Sequence, residues 1–161
     1  MFLSSFDISG YGLSAQRFRT NIISSNIANA NTTRTAEGGP YRRGEVVFRA
    51  FDFNKVLNDK INAQNDELKY TDPLDKSIRF PKPAIMSVLV DKVVRDDGEP
   101  IMKYDPSHPD ANSEGFVAYP NINPVVEMAD LIEATRAYQA NVAAFQSAKN
   151  MANNAISMFQ A

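Results

Sequence analysis

Residues 137–157 read AYQANVAAFQSAKNMANNAIS. The stretch repeats like a helix, is rich in Ala, and carries one charge, Lys149. A helix on the surface of an isolated soluble protein normally turns a charged face to water. This one offers amides and small side chains instead. Upstream, Asn123 suits a helix cap and Pro124 the first helical position. Glu127 and Asp130 lie where the helix macrodipole favours acids. No Pro or Gly follows up to Ala161. The spacing therefore predicts a helix of about 35 residues, roughly 50 Å long at 1.5 Å per residue.

A heptad runs along that helix. Leu131, Tyr138, Phe145, Ala152 and Phe159 form one line, and Ala134, Asn141, Ala148 and Ala155 form the next. Large residues thus alternate with small ones, as in a close-packed helical seam. A second apolar line (Met128, Val142, Ile156), with Ile132 nearby, lies beside it. The other end of the chain has a long pattern of its own, from about residue 4 to residue 29. Phe2, Phe6, Leu13, Thr20, Ile23 and Ile27 make one line; Ile8, Tyr11, Ala15, Phe18 and Ile22 make another. At 3.5 residues per turn these lines sit roughly 150° apart, so this helix wants contacts on two nearly opposite sides. Gly10 and Gly12 each weaken it by about 1 kcal/mol relative to Ala unless a neighbour packs closely there.

The charge distribution supports a common role for the two ends. Of 17 basic and 19 acidic side chains, only Asp7, Arg17, Arg19 and Lys149 fall within residues 1–33 or 137–161. An antiparallel pair of terminal helices in a monomer accounts for one seam on each helix, not two. Bundling of helices from several subunits accounts for both. Asn21, Asn26, Asn29, Asn141, Gln146 and Asn150 then either pair across an interface or stay solvated. Seams that need neighbours would leave the ends of a free subunit loose.

The middle reads as a small antiparallel β unit. YRRGEVVFRAFDF (41–53), MSVLVDKVV (86–94), PIMKY (100–104) and FVAYP (116–120) suit strands. DDGE (96–99) suits a tight turn returning the third strand onto the second. Residues 54–84 read as a long loop or insertion with a short helix near 55–63. Phe48, Val88, Val90, Val93, Ile101 and Phe116 are the expected core. The fold class expected is α+β. A helix at 1–33 and another at 123–161 form a coiled-coil-like pair or bundle, with a β-rich unit at 34–122 between them.

Composition excludes several function classes. The net charge of −2 and pI near 5.4 do not suggest nucleic acid. Without cysteine there are no disulfides or thiolate metal sites. No apolar run approaches the roughly 20 residues that span a bilayer, and Asp7, Ser9 and Gly10 interrupt any apolar leader, so no cleaved signal is expected. His108, the single histidine, lies near Asp105 and Asp110 but between Pro106 and Pro109. A rigid turn fits it better than a zinc site, which takes more nitrogen or sulfur ligands. GGP (38–40) lacks the Lys and helix start of a phosphate loop, and Arg42 and Arg43 read as a solvated strand edge. No catalytic constellation, small-molecule substrate or cofactor is expected.

Two long stretches carry a resemblance. DISGYGLSAQRFRTNIISSNIANANTTRT (7–35), followed by GPYRRGEVVF (39–48), resembles the N-terminal signature of bacterial flagellar rod and hook axial proteins. YPNINPVVEMADLIEATRAYQANVAAFQSAKNMANNAI (119–156) resembles the partner signature of that family. The YDPSHPDANSEGFVAYPNINP stretch (104–124) and the short chain narrow the resemblance to its proximal-rod type. It is weak across 54–84. The resemblance implies a structural subunit without enzymatic activity, exported by the flagellar export apparatus without a cleaved signal. It implies assembly in the periplasm into the rod, the shaft between membrane ring and hook. The implied partners are copies of the chain, other rod proteins and the membrane-ring or export-gate adaptor at the rod base. Phe6, Leu13, Phe18, Ile22, Ile23, Asn26, Ile27 and Asn29 would serve assembly from the first helix. Met128, Leu131, Ile132, Tyr138, Asn141, Val142, Phe145, Ala148, Ala152 and Ile156 would do so from the last. Another axial subunit of the same family and a cytosolic helical adaptor are the competing readings.

Overall fold

The computed structural model describes residues 2–52 and 86–159. The chain begins with helix α1 (Phe2–Ala28) and ends with helix α2 (Pro124–Phe159). Between them lie strands β1 (Gly44–Asp52), β2 (Met86–Arg95), β3 (Ile101–Tyr104) and β4 (Phe116–Tyr119). The expected α+β class and strand positions agree with this order. The expected insertion at 54–84, with its short helix at 55–63, lies outside the described residues.

Helix α2 starts as its sequence requires. The Val125 N–H donates to the Asn123 side-chain oxygen at 3.0 Å, and the Glu127 N–H to the Asn123 carbonyl at 3.1 Å. Pro124, which has no N–H to satisfy, takes the first helical position. The line turned toward α1 is the small-residue one. Glu127, Ala134 and Ala148 are buried, with Asn141 and Ala155 half-buried at the same seven-residue spacing. The large line flanks it and stays partly wet, with Tyr138 37% and Phe145 36% exposed. Small side chains at the contact let the helix backbones approach closely. A Cβ on Gly12 would lie 3.0 Å from the Asn141 amide. Gly12 thus meets the close neighbour expected of it, whereas Gly10 faces open space.

The helices run antiparallel. Asn26 meets Glu127, Arg19 pairs with Glu133 at 3.7 Å, and Phe6 stacks edge-on against Phe145 at 5.0 Å between ring centroids. The ends expected to be loose without neighbours are therefore paired within one chain. Part of the second side of α1 is covered internally, by the β1–β2 ribbon, while Ile8 and Phe18 stay exposed. Tyr11 stacks edge-on against Phe51 at 5.2 Å, and Ile22 lies beneath Gly44. Ala15, on that side, is buried.

The strand pairing differs from expectation. β1 pairs with β2, in antiparallel register from Gly44 opposite Arg95 to Asp52 opposite Met86, with a bulge between Val47 and Phe48. β3 pairs with β4 rather than turning back onto β2, from Ile101 opposite Tyr119 to Tyr104 opposite Phe116. The connection 105–115 supplies the reason, because it closes on itself. Asp105 N–H donates to the Gly115 carbonyl and Asn112 N–H to the Phe116 carbonyl, each at 2.9 Å. The Asn112 side-chain oxygen accepts from the Glu114 and Phe116 N–H groups at 3.0 and 2.8 Å. DDGE does bend locally, through the Gly98 N–H donating to the Asp96 carboxylate at 2.9 Å.

Among the described residues the two separate ribbons have no second β layer to close against, and the expected core is accordingly open. Phe48 and Val90 are half-buried, while Val88, Val93, Ile101 and Phe116 are exposed. Val117 and Ile122, leading into α2, are buried instead.

Gly115 has φ of 82°, and a Cβ there would lie 2.9 Å from the Tyr104 ring. Gly115→Ala is expected to destabilise the β3–β4 ribbon by about 1–2 kcal/mol. Amide exchange should quicken at residues 101–119 and stay unchanged in the two helices.

Candidate assembly interface

The two helices and β1 meet at one buried polar cluster. Asn26, in the last turns of α1, places its amide against the first residue of β1 as a strand neighbour would. Its Nδ2 donates to the Gly44 carbonyl at 2.9 Å, and its Oδ1 accepts the Gly44 N–H at 2.9 Å. The same Nδ2 donates to Glu127 Oε2 at 3.0 Å, and Arg43 Nε donates to Glu127 Oε1 at 2.6 Å. The Tyr41 hydroxyl donates to Asn26 Oδ1 at 3.2 Å and lies 3.3 Å from the Ser25 hydroxyl. Glu127, 1% exposed, sits at the first turn of α2, where its charge also meets the helix macrodipole. The hydrogen bond to Glu127 raises the Arg43 guanidinium above its ordinary range, against the opposing effect of partial burial.

This cluster corrects one sequence reading. Arg42 is a solvated strand-edge cation paired with exposed Asp97 at 2.7 Å, but its neighbour Arg43 serves the interior. Arg43 also approaches Asp130 at 3.6 Å and Glu45 at 3.8 Å. The signal available in the sequence was Glu127 itself. It is the one acid on the buried heptad line 127, 134, 141, 148, 155, and an acid on such a line requires a partner. A cleft of about 380 Å³ opens beside the cluster, lined by Arg19, Asn26, Arg43, Glu45 and Asp130 among others. Arg19, Arg43 and Asp130 are engaged in ion pairs there.

The residues expected to serve assembly separate into three groups. Ile23, Asn26 and Ala148 are buried within the chain. Phe6, Leu13, Ile22, Ile27, Asn29, Leu131, Asn141, Val142 and Ala152 are half-buried. Several of these make internal contacts: Phe6 with Phe145, Asn141 with Gly12, Ile22 with Gly44. Asn29 serves its own helix end, its amide donating to the Ser25 carbonyl at 2.9 Å and its oxygen accepting from Thr32 at 3.2 Å. Phe18, Met128, Ile132, Tyr138, Phe145 and Ile156 are exposed, Met128 at 52% and Ile132 at 55%. Val125, Val126, Met151 and Met158, outside that expected set, are exposed as well. On α2 much of the apolar surface is thus turned outward, and among the described residues it stays exposed, with Phe145 partly covered by Phe6.

His108 holds a turn. Its Nδ1 accepts the Asp110 N–H at 3.1 Å, and its ring lies 6.3 Å from that of Tyr119. Asp105 is held below the usual carboxylate range by the Ser107 hydroxyl at 2.6 Å and the Ser107 N–H. Asp110 accepts from Thr33 and pairs with Arg34, tying this turn to the segment after α1. Among the described residues no three His, Asp or Glu side chains cluster to hold a metal ion, and no helix is long and apolar enough to cross a membrane.

Known proteins match over these same elements. Residues 6–34 match the family described as Flagella basal body rod protein, and residues 113–158 the one described as Flagellar basal body rod FlgEFG protein C-terminal. These spans coincide with most of α1 and of α2. The chain is 38% identical to the Flagellar basal-body rod protein FlgC of Borreliella burgdorferi, over 98% of this chain and 97% of that one. It is 36% identical to the protein of that name from Bacillus subtilis, over 94% of each. For Salmonella typhimurium the identity is 32%, over 92% of this chain and 91% of the relative.

Arg43→Met leaves the Glu127 charge buried without its cation and is expected to destabilise the chain by about 3 kcal/mol. Arg42→Met, at the adjacent but solvated position, should stay within about 0.5 kcal/mol of the parent. Urea denaturation of the two variants, measured side by side, checks the contrast.

Proposed function

The chain belongs to the flagellar basal-body rod protein family, as a structural subunit of the rod, and from that membership we propose that it builds the proximal part of this shaft. Its α1–α2 pair enters the inner tube, with residues 34–122 outside it. The near full-length similarity to relatives named as rod proteins carries this reading. The outward apolar face of α2 supports it. Met128, Ile132, Tyr138, Phe145 and Ile156 present surface that neighbouring subunits would bury.

The mechanism is mechanical, and no chemistry is asked of any side chain. A shaft resists shear when each helix is held from several sides. Here one side of α1 takes α2 and another takes the β1–β2 ribbon, which leaves α2 as the principal surface for neighbours. Contacts between unlike faces continue into helical assemblies instead of closing as pairs. Copies of the chain and other rod proteins are the partners of this face, with the membrane-ring or export-gate adaptor meeting it at the base. Export through the flagellar apparatus without a cleaved signal, and assembly in the periplasm, complete the reading. The small-residue contact between α1 and α2 suits export, because a thin core opens more readily than a large one.

A strain lacking this chain is expected to build no rod or hook and not to swim. The sharper test separates folding from assembly. A Met128→Asp, Ile132→Asp double variant changes only exposed positions, so the purified subunit should melt within about 1 kcal/mol of the parent. The same variant should be missing from isolated basal bodies. Normal incorporation and swimming would remove this face of α2 from the contacts between subunits. Phe145→Ala, which loses the edge-on contact with Phe6, should weaken the isolated subunit by about 1 kcal/mol.

A further inference from the structure

The β1–β2 ribbon lies lengthwise along α1 and is pinned at both ends. At one end Gly44 is hydrogen-bonded to Asn26 through both its backbone groups. At the other Phe51 stacks edge-on against Tyr11. From Gly44 to Phe51 an extended strand spans about 23 Å, and from Asn26 back to Tyr11 a helix spans about 22 Å. The two lengths agree, so the ribbon bridges its pins without slack. Gly44 is also a point of close approach between the ribbon and α1. A Cβ there would lie 3.2 Å from Ile22 Cγ2 and 3.5 Å from Val93 Cγ1. The same Asn26 amide reaches Glu127, so the pin fixes ribbon and both helices together.

We propose that Asn26, Gly44 and Glu127 are positioning residues, setting the angle of the outer ribbon on the helix pair so that the subunit enters its assembly as one rigid lever. This rests on the reading of the chain as a rod subunit. Twist applied to the outer part then reaches the inner helices through a satisfied polar joint rather than through a flexible linker. The joint does its work without touching a neighbour, which separates its role from that of the exposed face of α2.

The test wedges the joint open while leaving the Asn26–Glu127 contact between the helices in place. The chain has no cysteine, so Arg17→Cys and Lys92→Cys, both at exposed positions, admit a pair of spin labels reporting the distance from α1 to the ribbon. Gly44→Val is expected to lengthen and broaden that distance with helical content unchanged. In cells it should reduce incorporation into basal bodies and abolish swimming in viscous medium. Gly44→Ala should show a smaller change in both readouts, and adding Ile22→Ala, which removes the methyl group met at 3.2 Å, should restore both. The Gly44→Ala pair decides the matter should Gly44→Val fail to fold. An unchanged distance, or a displaced ribbon with parental swimming in viscous medium, would overturn the proposal. Absence of the parental protein from purified basal bodies would instead overturn the rod reading and leave the distance results standing.

Discussion

The architecture hangs on one buried carboxylate. Glu127 lies at the first turn of α2, almost without contact with water. Left unpaired there, its charge would be prohibitively unfavourable. It is stabilised by the Arg43 guanidinium on one oxygen and the Asn26 amide on the other. Those two donors come from the approach to β1 and from the end of α1. One acid therefore determines where three segments far apart in the sequence must meet. It also selects the antiparallel register of the helices, because displacing α2 by a turn would strand the charge. Apolar contacts alone would specify this less sharply, since a line of alanines packs similarly after a slip of one heptad.

Such specification matters because the rest of the interior is thin. The contact between the helices is made by Ala134, Asn141, Ala148 and Gly12, which bury little area apiece. The larger apolar side chains flank that contact or face away from it. An arrangement optimised for an isolated protein would turn Met128, Ile132 and Ile156 inward and put charges in their place. In a rod subunit the disposition is reasonable. The small-residue face completes the chain, and the proposed assembly would bury the large-residue face. Buried polar groups supply uniqueness where hydrophobic area is scarce, at the expense of some stability.

Much of this was legible in the residues. The cap at Asn123, the proline after it and the unbroken heptad located α2, and the alternating lines with few charges located α1. The four strands were recognisable from their β-branched and aromatic runs. Their partners were not. β3 had two plausible neighbours, and the hydrogen bonds closing residues 105–115, centred on Asn112 and on Gly115 with its positive φ, chose β4. The second apolar line of α1 was read as needing cover, and the chain's own ribbon supplies part of it, through Phe51 at Tyr11 and Gly44 at Ile22, while Ile8 and Phe18 stay exposed. Arg42 and Arg43 read alike in one dimension. Only the position of Glu127 gave them different fates.

The sequence by itself thus determined the elements, the weakly charged ends and the kinship with rod proteins, because periodicity, caps and local motifs act within a few turns of chain. Tertiary structure alone decided which strand pairs with which, which seam of each helix closes inside the subunit, and which of two adjacent arginines enters the interior. Those outcomes depend on contacts between residues as far apart as Asn26 and Glu127. Their energies arise only when desolvated partners are brought together in three dimensions.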